Sequence, residues 1–344
     1  MTILHYFRWA FAVTVLGLML TLWLGWTYSG TIAGTLSFFM IGLVLAILEI
    51  SLSFDNAIVN ANKLQTMTPI WRQRFLTWGI LIAVFGMRIV FPLLIVVIAA
   101  RIGPIEAVRL AAREPAEYAR IIGDAHLSIA AFGGAFLMMV ALSYFVDEGK
   151  EVDWIAALER NMRRFGSIRG MEIAFVLAVM LGFATALPDQ DAGRFLFASS
   201  AGLLTFLAVD MLGHVLDKSD AAGTVAKGGL GAFLYLEVLD ASFSFDGVIG
   251  AFALTQNLFL IAIGLGIGAM YVRSMTIMLV ERQTLAEFRY LEHGAFWSIL
   301  VLSIIMFLQT IWHVSEIITG SLGAGFILMA FISSVLYRRS EVES

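Results

Sequence analysis

The chain has 344 residues, of which 60% are hydrophobic and 14% charged, with a mean hydropathy of +0.89 and a formal net charge of −4. A soluble domain carries about a quarter of its residues as charges, so the composition is that of a membrane protein, and the near-neutral balance gives no reason to expect a nucleic-acid partner. There is no cysteine, which excludes disulfides, thiolate metal sites and redox thiols and leaves oxygen, imidazole or thioether to hold any metal.

Apolar stretches long enough to cross a bilayer predict ten helices, at residues 7–26, 33–60, 75–99, 126–147, 171–188, 195–216, 229–252, 258–280, 294–313 and 319–337. The expected fold is therefore all-α and polytopic. The first stretch is longer than a signal-peptide core and no A-x-A cleavage site follows it, so it is expected to be retained as a span. Between the third and fourth spans, residues 101–125 mix Arg109, Arg113 and Arg120 with Glu106, Glu114 and Glu117, as a solvated helix would. Residues 151–167 set Trp154, Ile155, Leu158, Met162 and Phe165 on one side, beside Arg160, Arg163 and Arg164. That pattern suits either a helix lying on the membrane surface or an ordinary basic loop. With both termini in the cytoplasm, fifteen lysines and arginines fall inside and five outside, which favours that orientation in a cytoplasmic (inner) membrane.

The second and seventh spans carry the informative residues. Glu49-Ile50-Ser51-Leu52-Ser53-Phe54-Asp55-Asn56 recurs 191 positions later as Asp240-Ala241-Ser242-Phe243-Ser244-Phe245-Asp246-Gly247. A carboxylate at mid-bilayer costs about 2.5–3.5 kcal/mol on insertion scales, so four of them mark a site. The third and eighth spans share a Gly79…Arg88 and Gly264…Arg273 spacing, and the fourth and ninth share Gly134-Ala135-Phe136 and Gly294-Ala295-Phe296. Spans two to four and seven to nine thus read as copies of one three-helix unit. They start five helices apart, so the copies run in opposite directions, an architecture common in secondary transporters with midplane sites. The resulting division is an N-terminal helix (1–30), a first repeat (31–147), a connecting segment with two helices (148–228), a second repeat (229–313) and a C-terminal helix with its tail (314–344).

At about 100° per residue, Glu49, Ser53, Asn56 and Asn60 lie on one stripe, with Ser51, Asp55 and Asn62 nearly opposite. Glu237, Asp240 and Ser244 form one stripe in the second copy, Ser242 and Asp246 the other. A continuous helix needs polar cavities on both sides; a break near Ser-Phe-Asp would turn both sets into one, and irregular backbone is tolerated at depth only where it lines such a cavity. Broken helices are the expectation, permitted by Gly247 and tolerated at Asn56.

Carboxylates, amides, hydroxyls and carbonyls form an oxygen set suited to Mn²⁺, Ca²⁺ or Mg²⁺. Asp55 and Asp246 are the expected direct ligands, with Asn56, Glu49 and Asp240 completing the shell or exchanging protons, and Ser53, Ser244 and Glu237 as secondary candidates. Arg88 and Arg273 either neutralise one buried aspartate each or compete with the ion as gates. Weaker candidates are Asp210 with His214, His313 with Glu316, and Asp124 with His126, each near a membrane surface. The sixteen methionines are scattered and read as packing, and Gly264, Gly266 and Gly268 fit close helix packing.

The Ser-Phe-Asp55-Asn56-Ala-Ile-Val and Ser-Phe-Asp246-Gly247-Val-Ile motifs, with Gly79…Arg88, resemble the TerC family of integral membrane proteins, in a divergent branch carried as a domain of unknown function. The likeness covers about residues 35–310. It implies manganese export and places Asp55, Asn56 and Asp246 at the ion site; Gly247 stands where members often have serine. The expected function is export of a divalent cation, Mn²⁺ first, by alternating access in possible exchange for protons, with no enzymatic activity and no resident cofactor. Export of a cationic amino acid is the rival within transport, and a membrane assembly or metal-delivery factor using residues 101–125 is the rival outside it. An intramembrane aspartyl protease would need a Gly-x-Gly-Asp that is absent here.

Overall fold

A computed structural model describes residues 3–79, 82–147, 149–150, 152–166, 168, 170–219, 229–282, 287–312 and 314–343, and these residues form helices and no strand. Among the described residues, seven helices are long and apolar enough to cross a membrane: α1 (Ile3–Ser29), α2 (Ile32–Leu52), α7 (Pro115–Val146), α10 (Asp189–Ser219), α12 (Leu258–Glu281), α13 (Leu291–Gln309) and α14 (Glu316–Glu343). The chain is a helical, multi-pass membrane protein. Three more expected spans coincide with helices that miss that standard. Helix α11 (Leu230–Leu254) is long enough but carries Glu237, Asp240 and Asp246. Helix α9 (Met171–Ala186) has 16 residues. The third span is divided into the π-helical segments π1 (Phe75–Gly79) and π2 (Ile82–Val90), followed by α5 (Phe91–Ala100).

Helices α7, α12 and α13 form the interior. Helix α7 packs against α10 and α13, while α12 runs along α2, the short α3 (Phe54–Thr66) and π2. Phe136, Met138 and Met139 of α7 pack with Phe195 and Phe307, all fully buried. The outer helices show the opposite: Trp9, Leu16, Trp23 and Trp26 on α1 are exposed, as side chains facing lipid tails should be, since the tails are as apolar as leucine. Of the scattered methionines, Met138, Met139, Met180 and Met306 are buried packing residues, whereas Met19, Met40, Met211 and Met329 are exposed.

Residues 101–125 split into α6 (Pro104–Arg113) and the first turns of α7. There Arg120 bonds Glu117 at 2.6 Å and Asp124 at 2.7 Å, all exposed, so Asp124 serves a surface ion pair. Of residues 151–167, α8 (Ala156–Gly166) is helical, but Leu158 faces out and Glu159 faces in. The Glu159 carboxylate accepts bonds from Lys150 Nζ at 2.6 Å, Trp297 Nε1 at 3.0 Å and the Ile155 N–H at 3.1 Å, and lies 2.9 Å from His293 Nδ1. Burial alone would raise this carboxyl; the bonds from His293, Lys150 and Trp297 outweigh it and hold the group well below the usual carboxylate range. A polar anchor thus ties α8 to α13, while Met162 of the expected apolar side packs against the core.

Candidate functional site

The first acidic motif lies where α2 passes into α3. Ser53 (φ −104°, ψ 18°) separates them. The axis continues, because Ser53 N–H reaches the Glu49 carbonyl at 3.0 Å and Ala57 N–H reaches the Ser53 carbonyl at 3.2 Å. Within the interruption, Asn56 N–H turns to Asp55 Oδ1 at 2.8 Å, a donor that an unbroken helix directs to Leu52. The second copy departs from expectation: α11 runs unbroken through the whole motif. Ser242 Oγ bonds the Val238 carbonyl one turn back at 2.9 Å, and Gly247 serves close approach rather than a turn. A Cβ there would stand 3.0 Å from Glu49 Oε2.

Because the first break is a single residue, the two polar stripes stay on opposite faces instead of converging. One face lines a cavity of about 50 Å³ bounded by Glu49, Ser53, Asn56, Asn60, Asp240 and Ser244, with Arg88, Arg273 and Thr276 on its other walls. The other face turns Asp55 toward a separate, smaller cavity with Ser298 and Thr319. Asp55 is therefore not part of the first cavity, contrary to the direct-ligand role expected for it there. The side chain of Asp246 lies outside the described residues, as do those of His214, His313 and Glu316; Asp210 is exposed on α10.

Every polar group around the first cavity is at least nine-tenths buried on α2, α3 and α11. Glu49 Oε1 pairs with Arg88 and accepts Ser53 Oγ at 3.1 Å. Asp240 Oδ1 accepts Asn60 Nδ2 at 2.8 Å, and Asn56 bonds the same carboxylate. The expected arginine–aspartate pairing is thus corrected: Arg88 holds a glutamate, and half-buried Arg273 donates to the Leu76 carbonyl at 2.6 Å. Glycine at position 79 makes room for Glu237, whose Oε1 would lie 2.9 Å from a Cβ there.

Several acceptors remain without a partner: Asn56 Oδ1, Asn60 Oδ1, Ser244 Oγ and both oxygens of Glu237. An unpaired buried polar atom costs about 1–3 kcal/mol, so such a cluster needs a reason. A hard cation supplies one, because it draws on oxygen lone pairs from carboxylate, amide and hydroxyl alike. Of the candidate carboxylates, Glu49 and Asp240 line the first cavity and Asp55 the second, and among the described residues no group of three carboxylate or imidazole side chains is placed to hold a metal ion. The fitting set is two carboxylates, Glu49 and Asp240, with neutral oxygens from Asn56, Asn60 and Ser244. Asn60 was legible on the first stripe. Thr276 and Ser298 were not, since each enters from a helix more than 200 residues away in sequence.

No curated protein and no solved structure matches the chain. A family model described as "Protein of unknown function (DUF475)" matches residues 54–341, beginning inside the first acidic motif and including the whole of the second. That span takes in most of the chain and the cavity wall from α3 onward, though not Glu49 and Ser53, and the chain belongs to the DUF475 family.

Proposed function

We propose that the protein is a secondary transporter that exports a divalent cation, Mn²⁺ foremost, through the cavity between α2–α3 and α11. The observation that carries this reading is the ring of buried, unpartnered acceptors beside two carboxylates. The cavity volume of about 50 Å³ has room for an ion with one or two waters. Pockets for small organic ligands run to about 300 Å³ or more, which weighs against a cationic amino acid. Mn²⁺ is put first on the resemblance to TerC; the oxygen set suits it, Ca²⁺ and Mg²⁺ alike.

The reading includes two inverted three-helix units, and reciprocal contacts support it. Asn56 meets Asp240, and the equivalent pair, Gly247 and Glu49, is also in contact. Helix α3 packs on α13 as α11 packs on α7, and α2 packs on α12 as α11 packs on π2. In this scheme Arg88 is a competitor, because a cation that takes Glu49 Oε1 must displace the guanidinium. That displacement couples ion occupancy to a movement of the third span, which alternating access requires.

Flux into proteoliposomes tests the proposal. Wild-type protein is expected to carry Mn²⁺ saturably, and Asp240→Asn to lose that flux while remaining folded. Wild-type protein that moves neither Mn²⁺, Ca²⁺ nor Mg²⁺ would refute it.

A further inference from the structure

On the opposite face of the α2–α3 helix, a second cavity of about 30 Å³ lies between that helix, α11, α13 and α14. Its polar centre is Asp55, 5% exposed. Asp55 Oδ2 accepts the Ser298 hydroxyl at 2.8 Å, so the lone pairs of Ser298 Oγ stay available, and buried Thr319 contributes a second hydroxyl to the wall. Small residues keep the space open. At Gly323 a Cβ would stand 2.8 Å from Ser298 Oγ and 3.8 Å from Asp55 Oδ2.

The charge of this cavity differs from that of the first. Among the described residues, no arginine, lysine or histidine lines it. Its carboxylates are Asp55 and Glu49, and Glu49 already has Arg88 on Oε1. The uncompensated formal charge is therefore one negative unit, set among neutral hydroxyl oxygens. The volume holds about one water-sized particle.

We propose that the Asp55 cavity is a second cation subsite, for one monovalent ion of sodium size. The proposal rests on the transport reading and gives it a coupling ion. Glu49 presents Oε1 to the first cavity and Oε2 toward Gly247 on the wall of the second. Cations in the two cavities thus draw on one carboxylate and repel each other across it. The coupling is negative and reciprocal: sodium weakens Mn²⁺ binding, and Mn²⁺ weakens sodium binding, as exchange across a membrane needs.

The test is thermal unfolding of the purified full-length protein in detergent, in NaCl, KCl or choline chloride at equal ionic strength, with and without MnCl₂. A ligand that binds the folded state raises the midpoint saturably. Sodium is expected to raise it above choline in wild type and in Asp240→Asn. The shift should vanish in Asp55→Asn and need higher sodium in Ser298→Ala, a milder change that keeps the test decisive if Asp55→Asn does not fold. Equal midpoints in NaCl and choline chloride, or a sodium shift unchanged in both variants, would overturn the subsite. So would a sodium-independent midpoint that follows pH through Asp55, which would assign the proton in its place. A sodium shift in protein that ignores Mn²⁺ would support the subsite while counting against Mn²⁺ as cargo.

Discussion

Glu159 and Glu237 are buried carboxylates in the same protein, yet their surroundings are opposites. Glu159 has a donor for each lone pair that faces the protein: a lysine, a histidine, an indole and backbone N–H groups. Glu237 has none on either oxygen, and the amide and hydroxyl oxygens of Asn56, Asn60 and Ser244 in the first cavity are also short of partners. A carboxylate whose bonding is complete fixes one helix against another. A carboxylate left incomplete holds free energy in reserve for something that arrives later. The contrast separates a structural anchor from a binding site where burial alone would class them together.

Variants should answer in kind. Glu159→Ala strands Lys150 and the imidazole of His293, and breaking a buried pair in this way costs about 3–5 kcal/mol. The unfolding midpoint should fall sharply while Mn²⁺ affinity of the folded fraction is kept; an unchanged midpoint would end the anchor role. Asp240→Asn should behave the other way, with Mn²⁺ affinity down about 100-fold, the upper end for loss of even an outer-shell partner, or about 2.8 kcal/mol. Isothermal titration beside an unfolding curve reads both. Glu237→Met removes an unsatisfied group and should raise stability by about 1–3 kcal/mol while slowing Mn²⁺ flux. A destabilised Glu237→Met protein would show that this carboxylate is satisfied after all.

The smallest effect is a pH dependence. The folded-state pKa of Glu159 is depressed, so its stabilisation is fully present above the ordinary glutamate value of about 4.3 and is lost as pH falls from there through the folded value. The margin of wild type over Glu159→Gln should be kept above about pH 5, shrink as pH falls below about 4 and close only below the depressed folded value. Convergence already near neutrality would contradict that sign.

Much of the site could be read from the sequence because it is periodic. The stripe of Glu49, Ser53, Asn56 and Asn60 follows from helical geometry, and those four residues do line one cavity. The same periodicity set Asp55 on the far side, and only the assumption of a wide break moved it back. Sequence did not reveal how little the helix needed to break, since that depends on Asp55 capping the Asn56 N–H within its own turn. Nor could it pair Ser298 with Asp55 or His293 with Glu159, contacts made across 243 and 134 residues. Gly247 was read as a hinge because glycine permits one. Its actual service is to leave room for the Glu49 carboxylate of α2, a matter of packing that no local pattern records.

Arg88 sits near the end of the nine-residue π-helical run Ile82–Val90. A π-helix closes each bond one residue later than an α-helix, so the third span is wound more loosely than its neighbours. Tightening that run to α would raise the advance per residue toward the α-helical value of about 100° and so rotate the side chains along the run relative to one another. Arg88, near the end of the run, would be turned relative to Glu49 by a change of the backbone rather than of its own rotamer. In the proposed transport cycle such a turn would act as a screw, with the grip of arginine on glutamate set by its thread.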